Sequence, residues 1–190
     1  ETRDEIEEAA VDLFARLGYH ATSMRAIAEA ADIQPAAIYH WFPSKESILI
    51  QLQNDFMERL TKAVTAAMAA VERPALKLAA AVREHVVYHG LHTREAFVTD
   101  SEIRALSDDA REALLESRDE YEEMFRSLIV DGIEAGELRT PDPAVATYAI
   151  LLQCTGVALW YQPDGPLGLE RIAELHIELV LGSLRAKESL

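Results

Sequence analysis

Apolar residues recur at three- and four-residue spacing along most of the chain, and that period predicts helices. Ile6, Ala10, Leu13, Phe14 and Leu17 form the inner face of a first helix over 2–17, and Gly18 supplies its left-handed stop. Met24, Ile27, Ala28 and Ala31 place one stripe on a short second helix. Asp32-Ile33-Gln34 breaks the pattern, and Pro35 stands where the first position of a new helix tolerates a missing amide donor. Ile38 and Phe42 then face inward, four apart, on another short helix. Ser44 caps a long one from Lys45 through Ile48, Leu49, Leu52, Phe56, Leu60 and Val64 to about Val71, a rod of roughly 40 Å at 1.5 Å per residue.

Pro74 opens the next helix and Thr93 the one after it, with Ala96, Phe97, Ile103 and Leu106 as its apolar positions. Ser107-Asp108-Asp109 begins a long helix with acids in its first turn, where the dipole favours them, and Gly136 ends it. Leu114, Tyr121, Phe125, Leu128 and Gly132 follow its inner face. Thr140-Pro141-Asp142-Pro143 starts a helix to about Tyr161 that is apolar nearly all round, so burial on every side is expected. After a turn over 163–168, a last helix carries Leu169, Ile172, His176, Leu179 and Ser183 on one stripe, with Leu175 and Val180 on its flanks. The predicted class is all-α, with about nine helices.

The stretch 23–46 organises this plan. Two short helices at a tight angle, followed by the start of a third, cannot bury their own stripe, so the flanking helices must cover it. This is the layout of a helix-turn-helix, whose second helix enters the major groove and touches base edges with its N-terminal residues. Gln34 can pair an adenine edge through its amide, and Pro35 and Ala36 offer apolar contact to a thymine methyl. His40 and Lys45 are candidates for phosphate, a contact that positions rather than specifies. The Thr22 and Ser23 hydroxyls either cap the second helix or bond a phosphate there.

The order T-S-M-R-x-I-A-x-A-A, then I-Q-P-A-A-I-Y-H-W-F, then P-S-K-E resembles the DNA-binding head of the TetR family of bacterial transcriptional regulators. The match covers about the first quarter of the chain. Ala36 and Ala37 stand where that family often carries Gly and Thr, and Gln34 where Ser is common, all at the groove-facing end. The resemblance implies an N-terminal three-helix head over 1–47 and a helical ligand-binding and dimerisation body over 48–190. It places Tyr39 against a phosphate and brings Arg25, within the same motif, into the DNA-facing set. It further implies a repressor that binds a palindromic double-stranded operator and is released by a small-molecule effector.

Charge bears on this reading. The chain of 190 residues carries a formal net charge of −15, and the first 47 residues hold four basic against nine acidic side chains. Phosphate contact depends on local placement rather than the total, so this balance predicts modest non-specific affinity that falls quickly with salt. The sequence begins at Glu1 without a methionine, so leading residues are expected ahead of it, with room among them for a basic arm. Cys154 is the only cysteine; it excludes an internal disulfide and fits a reducing cytoplasm. No run of about 18 apolar residues is evident, so no membrane partner is expected.

In the body, His85, Tyr88, His89 and His92 fall at i, i+3, i+4 and i+7 and line one helix face. Such a stripe admits three readings: the polar wall of a ligand cavity, a metal pair at His85 and His89, or a partly wet surface face. A metal site needs further ligands and no H-E-x-x-H accompanies these, so no metal is assigned, although a metal-sensing regulator of the same fold stays open. With Phe97, Tyr121 and Phe125 they form the candidate effector-binding set. No Ser-His-Asp order, Gly-rich phosphate loop or carboxylate pair in a cleft is present, so no catalytic residue and no cofactor is assigned. The histidines leave an all-helical enzyme as the remaining alternative. Leu169, Ile172, Leu175, His176, Leu179 and Val180 have no further helix to cover them, which predicts a C2 homodimer closed by a four-helix bundle. The segments T-D-S-E-I-R-A-L (99–106) and A-L-W-Y-Q-P-D-G-P-L (158–167) resemble the body of a TetR branch that senses acyl-coenzyme A thioesters in lipid and steroid breakdown.

Overall fold

Helix ends in this chain are closed by the residues the pattern singled out. In the computed structural model, which describes residues 2–184, α1 (Thr2–Leu17) stops where the Gly18 amide donates to Phe14 O at 2.9 Å and φ reaches +81°. Residue 1 and residues 185–190, at the outer ends of the two expected domains, lie outside the description. The Ser23 side chain caps α2 (Met24–Ala30) by accepting the Ala26 amide at 3.1 Å. Asp32, at φ +54°, ends the turn after it; the Ile33 amide reaches back to Ala28 O at 2.9 Å, a Schellman closure made without glycine.

Residues Ala37–His40 form one 3-10 turn rather than the expected α-helix. Pro35 has no amide to give, and four residues leave room for i→i+3 bonds such as Trp41 N to Ile38 O at 3.0 Å. α3 (Lys45–Ala69) then starts from a reciprocal serine cap, Ser47 N to Ser44 Oγ at 3.1 Å and Ser44 N to Ser47 Oγ at 3.2 Å. There follow α4 (Pro74–Leu91), α5 (Thr93–Ser101), a short 3-10 turn at Ile103–Ala105, and α6 (Asp108–Glu134). α6 ends in a second Schellman closure around Gly136, with Glu137 N bonded to Gly132 O at 2.8 Å and φ +71° at the glycine. Asp142 accepts the Ala144 and Val145 amides at 2.8 and 3.2 Å to start α7 (Pro143–Thr155). α7 breaks at Gly156 before the single turn of α8 (Val157–Trp160), and α9 (Leu169–Leu184) completes the chain. Among the described residues every regular element is helical.

The chain divides into two compact units. One comprises Glu1–Glu58 and Arg94–Glu116, the other Arg59–Thr93 and Ser117–Leu190. The unit that holds the helix-turn-helix therefore also takes the first half of α3, α5 and the start of α6, which lie beyond the boundary at residue 47 expected from the sequence. Its core includes Ile6, Ala10, Phe14, Ile27, Ala28, Ile38, Ile48 and Leu49, all with 1% exposure or less.

In the second unit α4 packs along α9 and is also covered by α7 and α8. Gly90 lets α9 approach, since a Cβ there would meet the Leu169 side chain. Two expectations are corrected here. α7 and α8 are not buried on every side: Val145, Tyr148, Leu152, Leu159 and Trp160 are exposed, Leu152 to 78%. Of the stripe on α9, Ile172, His176 and Val180 are buried inside the protomer, Leu169 and Leu175 are half-buried, and Leu179 alone of those six lies open, 64% exposed. The stretch Pro143–Trp160 does have the length and apolar composition of a membrane span, which the sequence reading did not expect. Its regular part, α7, is only 13 residues, about 20 Å long against the ~30 Å core of a bilayer.

Candidate nucleic-acid interface and polar core

Within the first unit the turn and the 3-10 segment sort side chains by direction. Ile38 at 0% and Phe42 at 4% exposure anchor the segment, while Gln34, Ala36, Tyr39 and His40 are exposed, Tyr39 to 57%, and Pro35 is half-buried. An amide, a methyl, a phenol and an imidazole are thus open to solvent within seven residues, a mix able to pair base edges and donate to phosphate. Arg25 is exposed as well and its Nε bonds Glu29 Oε1 at 2.7 Å, a surface pair that solvent screens and that a phosphate can displace. Ser23 stays exposed, its oxygen engaged as the cap of α2.

Two of the expected DNA contacts are instead consumed by the fold. Thr22 is 2% exposed, and its hydroxyl bonds Gly18 O at 2.9 Å and Leu13 O at 3.4 Å, so it satisfies the carbonyl end of α1 and not a phosphate. Lys45 is half-buried. Its Nζ donates to Tyr19 O at 2.5 Å and Thr22 O at 2.6 Å, and lies 4.2 Å from the centroid of the Tyr19 ring. Burial lowers the Lys45 pKa, and the Glu102 carboxylate partly offsets this. Glu102 Oε1 accepts the Tyr19 amide at 3.3 Å, and Glu46 Oε1 accepts the Ser107 amide at 2.6 Å. Neither acid stands out in the sequence, because the first bond joins residues 83 apart and the second joins residues 61 apart.

The histidine stripe of α4 turns inward. His85 is 2% exposed and spends both ring nitrogens within the second unit, Nδ1 on the Tyr121 hydroxyl at 2.9 Å and Nε2 on the Thr155 hydroxyl at 3.0 Å. The His89 Nδ1–H donates to His85 O at 2.9 Å, and the two rings stack with centroids 4.1 Å apart at 7°. Phe125 meets His85 edge-on at 6.0 Å, and Tyr88 lies 4.4 Å from His92 by ring centroids. Burial, before any charge, drives the His85 pKa well below its ordinary value and that of His89 down to about 4. It likewise pushes Tyr121 up, and Cys154 up to about 12. The core is therefore neutral at pH 7: imidazole, phenol, alcohol and thiol.

Four candidates for the effector-binding set, His85, His89, Tyr121 and Phe125, are thus brought together, and Tyr88 pairs with His92, the residue that caps the end of α4. Phe97 is not among them; it belongs to the first unit, 41% exposed on α5. Thr155 was missed, and nothing local in the sequence ties it to a histidine 70 residues earlier. The two imidazole nitrogens of His85 are already engaged, and among the described residues no group of three His, Cys, Asp or Glu side chains is placed to hold a metal ion.

Residues 6–52 match the family described as "Bacterial regulatory proteins, tetR family", and residues 71–184 match "Tetracyclin repressor-like, C-terminal domain". The chain is 28% identical over 186 residues to the HTH-type transcriptional repressor KstR2 of Mycolicibacterium smegmatis, covering 96% of this chain and 90% of that protein. It is 27% identical over 189 residues to the Fatty acid metabolism regulator protein of Bacillus subtilis, covering 96% and 95%. The crystal structure of the TetR family regulator PfmR from Thermus thermophilus superposes with a TM-score of 0.86 at 32% identity, over 95% of this chain and 99% of that one. An all-helical chain whose head and body both match these regulators belongs to the TetR family of DNA-binding transcriptional repressors.

Proposed function

We propose that the protein acts in the cytoplasm as a homodimer on a palindromic operator, and that an acyl-coenzyme A thioester releases it. The reading rests on one observation above the others: Ile38 and Phe42 are sunk in the head while Gln34, Ala36, Tyr39 and His40 point outward. Gln34, Pro35 and Ala36 meet base edges; Tyr39, His40, Ser23 and Arg25 meet phosphates. In a dimer the two reading segments fall about one helical turn of DNA apart, ~34 Å, or somewhat more.

The effector reading draws on other support. One relative is named for fatty acid metabolism, and the segments at 99–106 and 158–167 resemble regulators of lipid and steroid breakdown. The core around His85 has the matching chemistry, with apolar walls such as Phe125 for an acyl chain and neutral donors in Tyr121, His85 and Thr155 for a thioester or amide oxygen. An occupant must break bonds to reach these groups. Those bonds pin α4, α6 and α7 to one another, so binding there shifts helices. A coupling of only ~1–3 kcal/mol makes a useful switch.

The test begins with a duplex that the protein selects from a random-sequence pool. Binding to it is then titrated with acyl-coenzyme A esters of increasing chain length, free coenzyme A and free fatty acids. The expected result is release by one ester class and by neither component alone. Selection of no duplex would remove the operator reading; a selected duplex that no ester displaces would remove the effector class alone.

A further inference from the structure

We propose that Glu102, a residue outside the helix-turn-helix, is a positioning residue for operator binding, acting with Lys45 on the turn between α1 and α2. Residues 18–23 set the angle at which α2 leaves α1, and hence where the reading edge points. That turn is held from both sides. Thr22 ties it to the end of α1 through Gly18 O and Leu13 O. From outside, Lys45 Nζ takes the carbonyls of Tyr19 and Thr22, while Glu102 Oε1 takes the amide of Tyr19.

One peptide unit on each side of Tyr19 is therefore bonded to a charged side chain, and the Tyr19 ring, 8% exposed, lies under the ammonium. Glu102 covers the turn closely enough that a Cβ on Gly18 would sit 3.8 Å from its Oε1. The same short segment is tied a second time, since the Ser107 amide donates to Glu46 Oε1 near the start of α3. The segment from 102 to 107 thus gives a carboxylate to the head at one end and receives one at the other. The two short Lys45 bonds are of the stronger, charge-assisted kind, and the longer Glu102 bond, 3.3 Å, meets the same residue from the other side, so together they hold the turn in one orientation.

The inference rests on residues 34–40 being the DNA-facing edge, and its sign separates it from simple electrostatics. Removing an acid from a protein that binds a polyanion raises affinity if charge is all that matters. Removing a positioning group lowers it. Glu102→Ala and Glu102→Gln are compared with the wild type on a duplex that the wild type selects from a random pool, across a range of salt, with helicity followed by circular dichroism. Glu102→Ala is expected to bind about tenfold more weakly with an unchanged slope against salt. Glu102→Gln, which keeps an oxygen for the Tyr19 amide, is expected to recover most of that loss.

Lys45→Met provides an independent check, because it keeps a stem over the Tyr19 ring and loses both bonds. Weaker binding with the slope intact supports the assignment, whereas a slope reduced by about 0.9 places Lys45 on a phosphate and overturns it. Glu102→Ala binding as tightly as the wild type or more so, with helicity retained, also overturns it. Failure of the wild type to select any duplex would instead remove the reading edge on which the inference stands.

Discussion

At His89 a proton is excluded by the fold. The ring is 3% exposed and stacked on His85, with Arg118 on α6 and His92 at the end of α4 nearby, and burial above all brings its pKa to about 4 from an ordinary 6.5. The unfolded chain takes up a proton below 6.5 while the folded one refuses it until about 4. The stabilisation is complete above 6.5 and is lost as pH falls across that window. For this one group the loss amounts to about 3 kcal/mol, and His85 adds to it in the same direction. Urea unfolding midpoints measured from about pH 7 to 4 should fall accordingly, and His89→Gln should flatten the curve. An equally steep curve in that variant would trace the loss to other groups, His85 and the carboxylates, instead. The stripe itself was legible as spacing in the sequence; its burial was not, since the partners Tyr121 and Thr155 come from 36 and 70 residues away. Lys45 was misread for the same reason, its two carbonyl acceptors lying 26 and 23 residues back.

Elements were easier to read because their ends are local. Ser23, Ser44, Asp142, Gly18 and Gly136 each close a helix through bonds to residues within a few positions, and each was identifiable from sequence. Gly136 illustrates the force involved. It sits at φ +71° with open space around it, so Gly136→Ala meets no neighbour and suffers only from the left-handed backbone. A loss of about 1–2 kcal/mol is expected, visible as a lower thermal midpoint. A midpoint equal to that of the wild type would mean that the closure of α6 has relaxed to another geometry. Elements failed where packing decides. The pattern of α7 is apolar all round, and such a pattern does not distinguish burial by one's own chain from burial by another. On α9 the same ambiguity hid which flank faces α4, and Ile172, His176 and Val180 proved to be the inner ones.

For the whole molecule, that ambiguity becomes information. Val145, Tyr148, Leu152, Leu159, Trp160 and Leu179 are each more than half exposed in the single chain, on three helices of the second unit. A second copy is the cover proposed above, and Leu152→Glu tests it. Sedimentation should show a monomer whose operator affinity collapses, while circular dichroism stays helical. A variant that remains dimeric would move the interface elsewhere. The charge of −15 acts at this scale too, giving the protein little general attraction to DNA.

The brevity of the reading turn then has a genomic corollary. In the function proposed above, four residues, Ala37–His40, with the three just ahead of them, do the reading, and so few can spell only a short word in base pairs. A word so short recurs throughout any genome and cannot by itself name a promoter. Two copies of it, inverted and held at a set distance, are rare enough to serve as an address.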